Sequence, residues 1–180
     1  MNFRNLLNYR LSGAVLLIIL VLDRITKIVA DDVLVLNQAV PIVKFFNFTL
    51  VYNKGAAFGM FSSLNDEMRR FILVVVSIVA LLIVAYAIIK EFSGTDRWAM
   101  GAFGLILGGA IGNIYDRMRY DYVIDFLDFY VGRYHWPAFN VADSAICVGV
   151  FIVILRSIRV VKESKKEKGY ENNEQNICNS

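Results

Sequence analysis

Four long apolar runs constrain the fold of this 180-residue chain more than any other feature of its sequence. The clearest run, residues 71–89, is apolar at every position except Ser77. As an α-helix it would extend roughly 28 Å, which is about the thickness of the hydrocarbon core of a bilayer. The other three runs occupy residues 11–30, 98–114 and 137–157. The sequence therefore predicts an all-α polytopic membrane protein with four transmembrane helices.

Composition and charge agree with a membrane location. Hydrophobic residues make up 57% of the chain, whereas an ordinary globular chain is about 45–50% apolar. The net charge of +3 comes mostly from lysines and arginines within residues 156–168, directly after the fourth run. A basic segment in that position is typical of a cytoplasmic anchor that faces anionic lipid, so we expect no nucleic-acid partner. We interpret residues 1–162 as one membrane-embedded domain and residues 163–180 as a disordered cytoplasmic tail.

The distribution of basic residues also predicts the orientation of the chain. If both termini lie inside, the inner segments hold more lysine and arginine than the outer loops, residues 31–70 and 115–136. This modest bias agrees with the positive-inside rule. The polar residues at the ends of the predicted spans then gather near the outer membrane–water boundary.

The two outer loops contain patterns of their own. Residues 41–52 are rich in β-branched and aromatic residues and predict a strand. Small residues follow in 52–59, where the backbone could approach a ligand closely. Residues 61–70 predict a short external helix capped by Ser62 or Ser63. The second loop, 115–136, is rich in the aromatic side chains that prefer the headgroup level.

Glycines recur along the third run at every third or fourth position, at residues 101, 104, 108 and 112. Such a smooth ridge lets neighbouring helices approach closely. We interpret it as a packing surface within the helix bundle.

Two aspartates within residues 125–143 are the candidates for chemistry. Asp143 lies inside the fourth apolar run, where insertion of a carboxylate costs roughly 2.5–3.5 kcal/mol, so a functional role is the first hypothesis. Asp125 lies in the preceding loop, close enough in sequence to fold back onto it. One acid and one base at a common point can activate water. We assign Asp128, from the same loop, a solvated role.

A structural role for Asp143 is also open. Asn140 and Asp143 are three residues apart and could form the N-cap and N3 positions of a capping box. The helix dipole would then favour the ionised form of Asp143. Asp125 would be the partner whose pKa rises, because two neighbouring carboxylates do not both ionise easily.

Other polar residues at the span ends have two interpretations each. Asp23 precedes Lys27 by one helical turn and could simply pair with it, or it could support a site at the outer end of the helix. Asn113, Asp116 and Arg117 share one side of a helix end. They could extend to the interface individually, or they could point at the same site as the two candidate aspartates.

The residue inventory excludes several other chemistries. His135 is the only histidine, which excludes an HExxH zinc site because that site needs two. Cys147 and Cys178 belong at different membrane depths, so we expect no disulfide. Ser144 has no lysine on its helix before Lys162, which disfavours a Ser–Lys peptidase. A non-enzymatic alternative stays open: a small polytopic transporter or assembly subunit that uses membrane-edge acids for protons or ions.

Several motifs in the same order resemble the bacterial lipoprotein signal peptidases (signal peptidase II), a family of membrane aspartyl proteases. The resemblance covers residues 16–155. Its motifs are Asp23 in the first helix, Asn53-Lys-Gly-Ala-Ala-Phe58, Gly108-Gly-Ala-Ile-Gly-Asn-Ile-Tyr-Asp-Arg117, Val123-Ile-Asp-Phe126 and Phe139-Asn-Val-Ala-Asp-Ser144. One departure is Lys54, where the family more often has threonine.

The resemblance implies four transmembrane helices with an external β-cradle, and Asp125 and Asp143 as a catalytic dyad. The supporting residues that it implies are Asp23, Asn53, Asn113, Asp116, Arg117 and Asn140. It further implies prolipoprotein substrates that carry diacylglyceryl on a cysteine and are cleaved on the amino side of that cysteine. Membrane lipid would surround the enzyme, the lipopeptide globomycin would inhibit it, and no metal or cofactor would take part. The location would be the bacterial cytoplasmic (inner) membrane, with the active site at the outer face. An intramembrane protease that needs no lipid on its substrate is the alternative among enzymes.

Overall fold

The computed structural model describes residues 3–55, 65–92 and 96–178 of the chain. Within these ranges the protein is mostly helical and carries a small antiparallel sheet. The helices are α1 (Phe3–Val33), α2 (Asp66–Phe92), α3 (Arg97–Tyr120) and α4 (Val141–Cys178). The strands are β1 (Ala39–Val43), β2 (Phe46–Asn53), β3 (Val123–Val131) and β4 (Tyr134–His135).

Three helices in the described part of the chain are long and apolar enough to cross a membrane. They are Glu67–Ile88, Arg97–Tyr120 and Val141–Val161. These spans confirm a helical membrane architecture. Helix α1 is not among them, so the predicted count of four transmembrane helices stays a prediction.

The first turns of α2 and α3 are set by capping side chains. The Asn65 side-chain oxygen accepts a hydrogen bond from Met68 N at 2.8 Å, so α2 begins at Asp66. Residues 66–70, predicted as part of a separate external helix, therefore belong to α2, while the predicted caps Ser62 and Ser63 lie outside the described residues. Asp96 accepts from Trp98 N and caps α3 in the same way.

Helix α3 continues to Tyr120, beyond the end predicted at residue 114. Asp121 follows in the left-handed conformation, with φ of 67°, and its N–H donates to Arg117 O. Asn113, Asp116 and Arg117, which were predicted at the end of the helix, therefore lie within regular helix. Their spacing places them on one face of α3.

The glycines of α3 bring it into backbone contact with two neighbours, as predicted for the ridge. A Cβ on Gly104 would lie 2.5 Å from Ser12 O of α1. A Cβ on Gly109 would lie 2.3 Å from Ala142 O of α4. Gly101 has no described atom that close to its Cβ position, so it takes no part in this packing. Helix α3 is therefore the central helix of the bundle.

The sheet has the order β1-β2-β3-β4, with antiparallel neighbours. The single strand predicted over residues 41–52 is in fact a hairpin of β1 and β2 with Phe45 in its turn, at φ of 80°. The second outer loop was not predicted to contain a strand. Its β-branched and aromatic residues form β3, which places Asp125 opposite Val51 of β2.

The polar segment after residue 162 is helical as far as Cys178, as the end of α4. Its composition had predicted a disordered tail. Lysine and glutamate are frequent there and are good helix formers, which accounts for the difference.

Candidate active site

Asp125 is held by two asparagine side chains from different elements. Asn140 Nδ2 donates to its Oδ1 at 2.7 Å, and Asn53 Nδ2 donates to its Oδ2 at 2.8 Å. Asn53 is the last residue of β2, and its own Oδ1 accepts from Gly55 N at 2.8 Å, which fixes its orientation. Only 2% of Asp125 is exposed, so the carboxyl group is largely withdrawn from water.

Asp143 occupies the first turn of α4 in the capping arrangement predicted from sequence. Asn140 Oδ1 accepts from Asp143 N at 2.9 Å, and Asp143 Oδ2 accepts from Asn140 N at 3.2 Å. This reciprocal pair is a capping box. The other carboxylate oxygen, Oδ1, accepts from Asn113 Nδ2 at 2.7 Å. Asp143 therefore takes part in the cap of α4 and also contacts Asn113 of α3.

Asn140 joins the two carboxyl groups. Its side-chain amide donates to Asp125, while its backbone N–H donates to Asp143. The same amide nitrogen also lies 3.2 Å from Asn113 Oδ1, which forms a second connection to Asp143. Asn140 is fully buried, so these hydrogen bonds form with little competition from water. Strand β3 and helix α4 thus bring the two aspartates to one point.

The environment of Asp125 favours its protonated form. Burial raises the pKa of this carboxyl to about 7, and the charge of Asp143 contributes in the same direction. Hydrogen bonds from Asn53 and Asn140 and the Lys27 cation oppose the rise. Near neutral pH, Asp125 can therefore carry a proton.

Lys27 is fully buried and is connected to Asp143 through Asn113. The sequence analysis did not include Lys27 in the site. Its Nζ lies 2.8 Å from Asp23 Oδ2 and 2.8 Å from Asp116 Oδ2, and it donates to Asn113 Oδ1 at 3.0 Å. The side chain has no exposed surface. Burial of an ammonium group is tolerated only when its charge is paired, so a lysine inside an apolar run was itself a signal of buried acids nearby.

Asp23 forms the predicted pair with Lys27, whereas its support of a functional site stays a prediction. Its Oδ1 also accepts from Ala142 N at 3.0 Å, in the first turn of α4. Gly112 leaves room for this carboxylate, because a Cβ there would lie 2.6 Å from Asp23 Oδ2. Asp23 therefore connects α1 to the helix start that carries Asp143.

Asp116 is a buried connector and does not extend to the interface. Arg24 Nη1 lies 3.0 Å from its Oδ1, and Ile124 N donates to its Oδ2 at 3.5 Å. Arg24 also donates to the Tyr120 hydroxyl at 3.0 Å. Asp116 thus ties α1 and α3 to the strand that presents Asp125.

Arg117 lines a cavity of about 230 Å³ between α2, α3 and α4. Asn113 and Asp143 line the same cavity, whose other walls are mostly apolar. Arg117 Nε is buried, and no described residue accepts a hydrogen bond from it. The guanidinium can therefore donate to a bound molecule within reach of Asp143.

Comparison with known proteins identifies the family. The family model described as signal peptidase (SPase) II matches residues 15–159 of the chain. The chain belongs to the signal peptidase II family. Helices of this length and composition in a member of that peptidase family make it an integral bacterial membrane protein.

The names of individual relatives of this signal peptidase II chain agree with the family assignment. A lipoprotein signal peptidase from Francisella tularensis subsp. novicida is 45% identical over 89% of the chain and 99% of its own length. One from Alteromonas mediterranea is 40% identical over 84% of the chain and 82% of its own length. A bacterial membrane enzyme structure determined by the in meso method at 2.3 Å superposes with a TM-score of 0.71. It is 26% identical and covers 84% of this chain and 90% of its own.

Asp128 of this signal peptidase II chain is buried on the other side of β3, so the solvated role assigned from sequence was wrong. Residues three apart in a strand point to opposite faces, which separates Asp128 from Asp125. Asp128 accepts from Asn47 Nδ2 at 3.0 Å and Thr49 Oγ1 at 3.2 Å, and His135 Nδ1 lies 2.9 Å from Oδ1. Burial raises the pKa of Asp128, but the hydrogen bonds from His135, Asn47 and Thr49 outweigh it, and the net pKa is lowered.

Proposed function

We propose that this chain is an aspartic endopeptidase that removes signal peptides from prolipoproteins, with Asp125 and Asp143 as its catalytic pair. The proposal rests above all on Asn140, which donates to both carboxyl groups at once. Membership of the signal peptidase II family and the names of the relatives support the substrate class.

The environments of the two aspartates favour different roles. Asp143, as the carboxylate at the helix N-terminus, takes a proton from a water molecule, whose oxygen attacks the scissile carbonyl carbon. Asp125, protonated near neutral pH, gives its proton to the carbonyl oxygen. As the carbon–nitrogen bond breaks, Asp143 passes the water-derived proton to the leaving amine. Asp125 recovers its proton from a hydroxyl of the tetrahedral intermediate, so both groups return to their starting states.

The remaining polar residues position this pair. Asn53 and Asn140 orient Asp125, and Asn113 orients Asp143. Asp23 and Asp116 hold α1, α3, β3 and α4 together around Lys27. Arg117, whose Nε has no acceptor among the described residues, is the donor assigned to a carbonyl group of the substrate.

The substrate would carry diacylglyceryl on its cysteine and would be cleaved on the amino side of that residue. The cavity beside Asp143 supports this assignment, because apart from Ser77 its walls away from the polar end are apolar side chains of three helices. The acyl chains can stay in the bilayer while the peptide reaches the aspartates. We propose globomycin as an inhibitor of the same site, on the basis of family resemblance alone.

We further propose that α1 is a fourth transmembrane helix, with both termini cytoplasmic and the aspartates at the outer face of the inner membrane. Helix α1 has 31 residues and exposes apolar side chains such as Leu17, Ile18 and Val21 along its length. The sheet and the aspartate pair lie at one end of the bundle, whereas the basic residues that follow the fourth span lie at the other.

The test is cleavage of a purified diacylglyceryl-modified prolipoprotein by three variants. Asp125→Asn and Asp143→Asn should each abolish detectable turnover. Asp128→Asn is the matched control, because Asp128 lies on the same strand and is also buried, yet does not contact the pair. Near-normal turnover by either of the first two variants would remove that residue from the catalytic pair. A substrate without the lipid should be cleaved poorly, and equal cleavage would favour a lipid-independent protease.

A further inference from the structure

A second polar region lies at the opposite end of α3 from the aspartate pair. A cavity of about 980 Å³ is bounded by the beginning of α1, the beginning of α3 and Arg156 of α4. From Arg97 to Asn113 the helix rises roughly 24 Å, close to the thickness of a hydrocarbon core. The cavity is therefore placed at the membrane boundary opposite the aspartates.

Positively charged side chains outnumber negatively charged ones in the lining of this cavity. Arg10, Arg97, Arg156 and Asp96 line it. Asp96 is already engaged, because its Oδ1 caps α3 and its Oδ2 accepts from Arg156 Nε at 2.6 Å. Among the residues that the structure describes, Arg10 and Arg97 have no ion-pair or hydrogen-bond partner. Two guanidinium groups are thus available to an anion.

An apolar surface adjoins these cations. Trp98 and Arg156 also line a second cavity, of about 510 Å³, together with Ile152, Leu155 and Ile158 of α4. Arg159 lines its edge. Trp98 is 62% exposed, and tryptophan prefers the headgroup level of a bilayer. The two cavities share a wall, so a cationic recess stands beside an apolar groove.

We propose that these adjoining cavities bind an anionic phospholipid of the leaflet opposite the aspartate pair. Arg10 and Arg97 bind the headgroup phosphate, since guanidinium groups suit phosphate oxygens through paired hydrogen bonds. An acyl chain lies against Trp98, Ile152 and Leu155. The ion pair between Asp96 and Arg156 holds the shared wall in place. This site is independent of the proposed peptidase activity.

The test is titration of the purified full chain in neutral detergent with phosphatidylglycerol, with binding followed by native mass spectrometry. Each cation near a membrane surface contributes about 1 kcal/mol. The Arg10→Gln/Arg97→Gln variant should therefore bind about 30-fold more weakly, equivalent to about 2 kcal/mol. The matched control is Lys44→Gln/Arg133→Gln, which removes the same charge from the sheet end and should leave the affinity unchanged. If the first double variant fails to fold, Arg97→Gln alone should weaken binding about fivefold.

Two further ligands distinguish the source of the phosphate. Phosphatidylcholine has the acyl chains without net negative charge, and glycerol 3-phosphate has the charge without the chains. Weak binding of both is the expected result. Equal affinity for phosphatidylcholine, equal affinity for glycerol 3-phosphate, or equal losses in the two double variants would each overturn the proposal.

Discussion

At the scale of single residues, the site depends on amide groups that hold carboxyl groups in unequal environments. Asn53 and Asn140 hold Asp125 in a nearly dry position, whereas Asp143 keeps a place at a helix start. The same residue type therefore occupies two different surroundings, and those of Asp125 raise its pKa to about 7. Two predictions follow from how these groups are paired.

The first residue-scale prediction concerns the pH dependence of turnover. The pKa of Asp125 is raised to about 7, so its proton is present below that pH and lost above it. If Asp125 is the acid, kcat should fall as pH rises through about 7. Asn53→Leu removes a hydrogen bond that favours the ionised form and should move this alkaline limb to higher pH, with a lower maximum.

A pH series of kcat with a lipidated peptide measures the limb directly. Asp128→Asn is the control, and its limb should coincide with that of the unmodified chain. An alkaline limb that stays in place in Asn53→Leu would argue that Asp125 does not supply the titrating proton.

The second residue-scale prediction concerns Lys27. Lys27→Met removes the cation between Asp23 and Asp116 and leaves buried carboxylates without it, which typically costs about 3–5 kcal/mol. Adding Asp116→Asn removes one of those charges, so the double variant should be more stable than Lys27→Met alone. Unfolding in a denaturing detergent measures both. A double variant that loses the sum of the two single losses would contradict the buried pairing.

At the scale of elements, the site is assembled where three helix segments and two strands meet. The capping box fixes where α4 begins, and the left-handed conformation of Asp121 fixes where α3 ends. The register between β2 and β3 fixes the position of Asp125 opposite Val51. Close approach of α3 to α1 and α4 depends on its glycines. The position of Asp143 relative to Asp23 is thus a property of helix packing.

The element-scale prediction compares two glycines of α3. Gly112→Ala places a methyl group 2.6 Å from Asp23 Oδ2 and should cost about 1–3 kcal/mol of stability while reducing turnover. Gly101→Ala on the same helix has no described atom within 4 Å of the new methyl group and should leave turnover unchanged. Its stability should stay the same or rise by up to about 1 kcal/mol, because alanine favours the helix more than glycine does. Thermal melting and cleavage rates of the two variants provide the measurement. Equal effects would show that the ridge does not act through the Asp23 contact.

At the scale of the whole molecule, the proposed topology places two functional regions at opposite membrane faces. The aspartates and the sheet lie at one end of α3, and the arginine-lined cavity lies at the other. With its proposed span, α1 would carry Lys27 near the first region and Arg10 near the second.

The whole-molecule prediction concerns labelling of single cysteines by a membrane-impermeant thiol reagent. In a Cys147→Ser/Cys178→Ser background, Lys44→Cys should react in spheroplasts from the outside. Asn5→Cys and Arg97→Cys should react only after the membrane is opened, because α1 and α3 cross it. Reaction of Asn5→Cys and Lys44→Cys from the same side would contradict a spanning α1.

Several features of this chain follow from local sequence pattern and could be predicted without a structure. Apolar runs about as long as the hydrocarbon core is thick predict spans whatever they pack against. Asn140, three residues before Asp143, predicts a capping box that the structure confirms. Asp125 and Asp143 could be selected as candidates because placing a carboxylate beside or inside such a run costs insertion free energy. The roles of those aspartates remain a proposal.

Contacts between residues that are far apart in the sequence could be known only from the folded chain. Lys27 of α1 contacts Asp116 and Asn113 of the neighbouring α3, and Asp23 accepts from the backbone of Ala142, 119 positions away. Asp128 is buried because β2 supplies partners that its own neighbourhood lacks. Local periodicity records whether a residue prefers water or an apolar environment. Pairing of buried charges depends instead on how helices cross and strands align, which no short stretch of sequence encodes.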